Sequence, residues 1–289
     1  MLSCLFLALT VAFAPPPPAP ELVAPTDLIM AQRGSLPIMI SAPHGGVVRV
    51  PGSKDRTKGV TVRDNNTSQL AVLIAQRVAD KLGKKPYFVI AEFSRKDADC
   101  NRPETPKGDD EAFNNDAAKS QYVAYHAALR TGVDEIRTNW QGRGILIDVH
   151  GQGRVPDAII RGTRNGASMA RVVRDRGREV LTGPNSIFGH LASNGYKTIP
   201  PIPDVEPPAK ESVFDGGFIT EHYGSSHDDG IDAIQMEFGN MRVDSLEKTA
   251  RDVGDAIAAY YRSYLEKEGA HAAPVPEAKA PAEQSQPPR

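Results

Sequence analysis

Two histidines stand in the same local setting. His44 lies in SAPHGG and His150 in DVHGQG, and each closes an apolar run and is followed by glycine. Imidazole is the commonest protein ligand for zinc, and a catalytic zinc takes three protein groups while keeping one position open for water. Glycine after the ligand lets the backbone turn sharply beside a metal or substrate. A lone histidine here would read as a turn residue bonded to backbone, but the same arrangement twice favours a shared metal. The third ligand is then a carboxylate. Asp64, in VTVRDNNT just ahead of a helical stretch, is the choice, with a plain N-cap as its competing reading and Asp99 as a weaker competitor. Asp148, two residues before His150, projects to the same side of its strand and is placed to orient that histidine.

Other residue types complete a hydrolytic set. Glu237, in AIQMEFGN, follows an apolar run, and partial desolvation there raises a carboxylate's pKa and suits it to accept a proton from an activated water. Arg95 and Arg102 flank the loop EFSRKDADCNRP, and a guanidinium fork binds a carboxylate bidentately, so one or both would hold an acidic end of a substrate. Arginines on loops are more often simply solvated side chains.

These residues need elements to hold them. Pro37–Ser41 is an apolar run that stops at Pro43-His44-Gly45-Gly46, the pattern of a buried strand feeding a tight loop. Leu70, Leu73, Ile74, Val78 and Leu82 recur at helical spacing from about Thr67, with Gly83 as the stop. Pro86–Phe93 reads as a strand. Tyr122, His126, Leu129, Val133 and Ile136 share a face of a helix over Asp116–Thr138, and Ile145–Val149 is a β-branched strand. Further on, the spacing predicts a strand over Ala158–Arg161, a helix over Ala167–Val180 and a strand over Ile231–Phe238. Asp244 with Glu247 forms a capping box for a last helix. Residues 181–217, rich in Gly, Pro and Ser, read as an irregular wall or lid over the site. Strands alternating with helices predict an α/β sheet covered on both faces, with ligands at the carboxyl ends of strands, where His44, His150 and Glu237 fall.

The 289 residues are 40% hydrophobic and 24% charged, enough for one large domain, and 34 Lys plus Arg against 36 Asp plus Glu give no reason to expect nucleic acid as a partner. Residues 1–14 carry no charge and end in Ala12-Phe13-Ala14, which reads as a signal peptide and predicts a secreted or periplasmic protein without stable membrane association once it is removed. Residues 15–29 read as a Pro-rich flexible segment, 30–267 as the catalytic domain and 268–289 as a disordered Ala/Pro-rich tail. Removal of the leader leaves Cys100 as the one cysteine, so the fold must stand on its core.

The ordered series SAPHGG, Asp64, FSRKDADCNR, YVAYHAAL, IDVHGQG, GGFITEHYG and IQMEF resembles the N-formylglutamate amidohydrolase family over about residues 37–242, and more distantly the zinc carboxypeptidases. The resemblance implies an α/β/α sandwich with a mixed sheet and one zinc per chain on His44, His150 and a carboxylate. It also implies Glu237 as general base, Asn101 and Arg102 on a substrate carboxylate, and His126, Gly217, Thr220, His222 and Tyr223 near the site. His126 is read alternatively as a core histidine of its helix. The carboxypeptidase HxxE is absent, since Val47 stands where its glutamate would be. The expected substrate is a small acidic N-acyl amino acid or peptide-like amide. The rival readings are a γ-glutamyl or peptide carboxypeptidase on the same site and a binding protein that keeps the fold without turnover.

Overall fold

The computed structural model describes residues 26–105, 108, 110–202 and 210–266. The expected leader, most of the Pro-rich segment and the C-terminal tail lie outside these residues. Seven strands form one sheet: β1 (Ile29–Gln32), β2 (Ile38–Ala42), β3 (Tyr87–Ala91), β4 (Ile145–Gly151), β5 (Ala158–Gly162), β6 (Lys197–Ile199) and β7 (Asp232–Phe238). Their order is β1-β3-β2-β4-β7-β5-β6. The central β3, β2, β4 and β7 run parallel, β1 and β5 are antiparallel to β3 and β7, and β6 is parallel to β5. A parallel centre needs helical crossovers and burial on both faces, which is why β2 and β3 are buried at every residue.

The helices supply the two outer layers. They are α1 (Thr67–Leu82), α2 (Asp116–Trp140), α3 (Ala170–Arg176), α4 (Glu179–Thr182), α5 (Ile187–Ser193), α6 (Phe218–Tyr223), α7 (Met241–Asp244) and α8 (Leu246–Tyr260). α1 buries Leu70, Ile74 and Val78, and α8 buries Val253 and Ile257, against Ile38, Ile40, Ile147, Val149 and Met236 on one face of the sheet. α2 buries Tyr125, Leu129, Val133 and Ile136 against Met39, Val89, Leu146 and Ala233 on the other. The three-layer α/β/α sandwich with a mixed sheet is therefore the observed fold. Helix ends follow local chemistry: the Asn115 side chain accepts from Ala118 N to start α2, and Gly83, at φ 66°, closes α1 by donating to Ala79 O.

Four expectations need correction. Ile29, assigned to the flexible flank, opens edge strand β1 opposite Ala91 and is fully buried. The single helix over 167–180 is a 3-10 turn at Ala167–Met169 followed by α3 and α4, because Gly177, at φ 81°, ends α3 with its N–H on Val173 O. The irregular stretch 181–217 holds α5, capped by Ser186 Oγ accepting from Gly189 N, and β6. Asp244 does not cap α8. It belongs to α7, and Ser245, at the junction, turns its hydroxyl back to Met241 O.

Candidate active site

The carboxyl ends of β3, β2, β4 and β7 lie side by side, and each delivers chemistry. His44 follows β2 by two residues. The Gly45-Gly46 pair after it is pressed so tightly that a Cβ on Gly46 would sit 2.3 Å from the Phe93 carbonyl oxygen and one on Gly45 2.4 Å from Ser68 N. Any side chain there would push His44 off the strand end. On β4, Leu146, Asp148 and His150 share a face, and on β7 Ala233, Gln235 and Glu237 do, in register so that Asp148 pairs with Gln235 and His150 with Glu237. The apolar floor of Leu146 and Ala233 thus gives way to polar groups toward the carboxyl end.

His44, Asp64 and His150, all buried, converge as a group able to hold a metal ion. Asp64 Oδ2 is 3.4 Å from the Nδ1 of His44 and 3.4 Å from the Nδ1 of His150. Those distances are long for hydrogen bonds, yet ligand atoms on a tetrahedral zinc, each about 2.1 Å from the ion, are separated by roughly 3.4 Å. His44 Nδ1 is buried with no hydrogen-bond partner. The far ring nitrogens are occupied: His44 Nε2 lies 2.7 Å from Asp99 Oδ1, and His150 Nε2 2.7 Å from Asp148 Oδ2. Ser41 Oγ donates to Asp148 Oδ1 at 2.6 Å and fixes that carboxylate in turn. Each imidazole therefore donates Nε2–H to a carboxylate and turns Nδ1 inward toward Asp64, the arrangement a histidine–carboxylate metal site requires.

The competition over Asp64 resolves geometrically. Asn66, not Asp64, occupies the N-cap of α1, while Asp64's own side chain accepts from Gly151 N at 3.0 Å and faces the histidines. Asp99 stands behind His44 as its orienting partner. The charges of the cluster stabilise one another. Burial would raise Asp64, but hydrogen bonding and charge from His150 and His44 outweigh it and hold the carboxyl far below its ordinary value. Burial would likewise lower His150, but the charge and hydrogen bond of Asp148 hold it well above.

Residues 107–241 match the family model described as N-formylglutamate amidohydrolase. A crystal structure of N-formylglutamate amidohydrolase from Ralstonia eutropha JMP134 is similar, with a TM-score of 0.56 at 14% identity, covering 83% of this chain and 98% of that one. A gene product from Agrobacterium tumefaciens is similar with a TM-score of 0.50 at 15% identity, covering 84% and 96%. At these identities the two structures speak for the fold alone. No curated protein matches the chain.

The substrate-side residues expected from the sequence divide into those held inside the fold and those left accessible. Arg95 is not free to grip a substrate: Nε donates to Asp99 Oδ2 at 2.9 Å, and Nη1 lies 3.3 Å from both Asp64 Oδ1 and Val62 O. It braces the carboxylates of the metal-competent cluster instead. Asn101 is likewise committed inward, with Oδ1 accepting from Ile219 N at 2.8 Å and Nδ2 donating to Gln235 Oε1 at 3.2 Å. Arg102 keeps 23% of its side chain exposed, with Nη1 on Asn101 O and Nε 3.1 Å from Asp110. His126 stacks with Tyr223, whose hydroxyl is 2.9 Å from its Nδ1, and its Nε2 is buried without a partner. Burial, with His222's charge, lowers His126 to about 4, so the ring is neutral near pH 7. Glu237 is buried, its Oε1 accepts from Gln235 Nε2 at 2.9 Å, and desolvation raises it.

Asp148 orients His150 as expected, while the orienting role of Asp99, expected only as a competing ligand, and the part played by Ser41 were missed from sequence. Asp99 behind His44 and Ser41 behind Asp148 carry no spacing signal, because their partners come from other strands and loops. Gln235 did carry one: it and Glu237 are two polar residues at period two in the apolar run that follows Asp232 in β7.

Proposed function

We propose that this chain is a metal-dependent amidohydrolase that cleaves an amide bond of an acidic N-acyl amino acid or peptide-like substrate. The observation that carries this reading is the pair of buried imidazoles presenting Nδ1 to one Asp64 oxygen at 3.4 Å each, with both Nε2 atoms held by carboxylates. A zinc ion on His44, Asp64 and His150, one per chain, would polarise the amide carbonyl and make a water acidic enough to attack near neutral pH. Glu237, whose burial raises its affinity for a proton, accepts the water's proton and hands it to the leaving amine. Arg102, which keeps part of its side chain exposed, holds a substrate carboxylate and so fixes the angle of attack. His126, neutral and seated among Phe218 and Tyr223, keeps a buried Nε2 without a partner that is open to a hydrogen bond from a substrate.

Elemental analysis of the purified protein tests the ligand set. About one zinc per wild-type chain, lost in His44→Ala, His150→Ala and Asp64→Ala, is expected; a wild type that neither carries nor takes up zinc would overturn the reading. A panel of N-formyl, N-acetyl and γ-glutamyl amides and short peptides then names the substrate. Glu237→Gln is expected to retain zinc and lose at least about a hundredfold in kcat.

A further inference from the structure

Two side-chain amides and a backbone N–H form one directed chain that ends on Glu237. Ile219 N, at the start of α6, donates to Asn101 Oδ1 at 2.8 Å; Asn101 Nδ2 donates to Gln235 Oε1 at 3.2 Å; Gln235 Nε2 donates to Glu237 Oε1 at 2.9 Å. Asn101, Gln235 and Glu237 are all buried, so water does not substitute for these partners.

An isolated carboxamide can turn end for end, exchanging donor for acceptor. Here it cannot, because a backbone N–H can only donate. Ile219 N forces the oxygen of Asn101 toward itself, which turns the Asn101 amino group toward Gln235. That fixes the Gln235 oxygen and leaves only its amino group to meet Glu237. The closeness of the first contact is built in: a Cβ on Gly217 would lie 2.2 Å from Asn101 Nδ2, so glycine at the start of α6 is what lets Asn101 pass beneath it.

We infer that Gln235 is a positioning residue for Glu237, and that the polarity of the Ile219–Asn101–Gln235 relay guarantees the carboxylate a donor at Oε1 and leaves Oε2 as the acceptor for a proton. Burial alone would leave the Glu237 carboxyl free to rotate and to hold its proton on either oxygen. The relay pins one oxygen as an acceptor, so the lone pairs of the other are the ones offered to the reaction. The inference also gives Asn101 its place, as the middle of this relay rather than a hand on the substrate. It rests on the base role proposed above for Glu237.

Gln235→Met keeps length and volume but removes the donor. With the fastest substrate of the amide panel, the variant is expected to keep its zinc and its near-UV circular dichroism, hold KM within about twofold, and lose roughly tenfold to a hundredfold in kcat, the range for a hydrogen bond to a charged group. Unchanged kcat overturns the inference, as does a rise in KM with kcat intact. A second readout needs no substrate. The Gln235 side-chain amide, assigned by its loss in Gln235→Met, should give a downfield, exchange-protected proton in a nitrogen–proton spectrum, and Glu237→Ala should abolish that shift. A labile, unshifted Gln235 signal in the wild type would sink the relay even if catalysis is found. Failure of every panel substrate, with the shifted signal present, would count against the proposed function and not against the relay.

Discussion

At the scale of single residues, the metal-competent cluster is held by partners that never face the metal. Asp99 and Asp148 each take one Nε2–H, and Arg95 ties Asp99 to Asp64. Asp99→Asn and Asp148→Asn keep the shape but offer a weaker acceptor that can also present an amino group. Each is expected to weaken zinc binding about tenfold to a hundredfold, read by competition with a chromophoric chelator, with the fold intact. Affinities equal to wild type would mean that the ligand geometry does not depend on them. The histidines were legible in the sequence because the strand-His-Gly pattern occurs twice, and Asp64 because no HxxE follows His44. Of their partners only Asp148 was legible, two residues before His150 on the same strand face, whereas the orienting role of Asp99 and the bracing role of Arg95 were not. Arg95 and Asn101 look like substrate arginine and asparagine in one dimension, and only the closure of their loop against β2, β4 and α6 shows that their polar atoms are already spoken for.

At the scale of elements, α1 and α8 cross where Gly254 lies on Arg77. A Cβ at Gly254 would stand 2.6 Å from Arg77 Cβ and Cγ, and Arg77 is held in place by a two-pronged pair with Asp255 at 2.9 Å on each prong. Gly254→Leu improves intrinsic helix propensity by up to about 1 kcal/mol yet must force the helices apart. A net loss of roughly 1–3 kcal/mol in urea unfolding is expected, and a gain would show that the crossing has slack. Long elements with strong periodicity, α1, α2, β2, β4 and β7, were read with their correct type because burial of one face or of a whole strand writes itself into spacing. The failures were short or conditional. β1 has only four residues and needs β3 beside it. The expected helix over 167–180 breaks at a glycine whose positive φ is decided by packing, and α5 and β6 are too brief to stand out from their Gly- and Pro-rich surroundings.

At the scale of the whole molecule, the two ends of the sheet differ in electrostatic character. The carboxyl end gathers the ionised cluster. At the opposite end Asp232 opens β7 beneath the 3-10 turn and α3, where burial outweighs its hydrogen bond from Ser225 and raises its pKa from 3.8 to about 6. Between those values the native state binds more protons at this site than the unfolded chain, so its contribution is full below about pH 4 and declines by about 3 kcal/mol as pH rises past 6. Asp232→Asn removes that dependence. Its stability relative to wild type is expected to improve between pH 4 and pH 7 in paired urea titrations, and a constant difference would place the Asp232 pKa near its ordinary value. The edge strand β1 bears on how the chain could be matured. Thr26 Oγ1 donates to Gln121, Leu28 O accepts from Glu92 N, and β1 covers the outer rim of β3. Proteolytic trimming that halts before Thr26 leaves the sheet sealed, whereas a cut past Gln32 would bare the hydrogen-bonding rim of β3 and offer it to the next molecule, so the rim sets an inner limit on where a processing enzyme can cut without turning a monodisperse product into a sticky one.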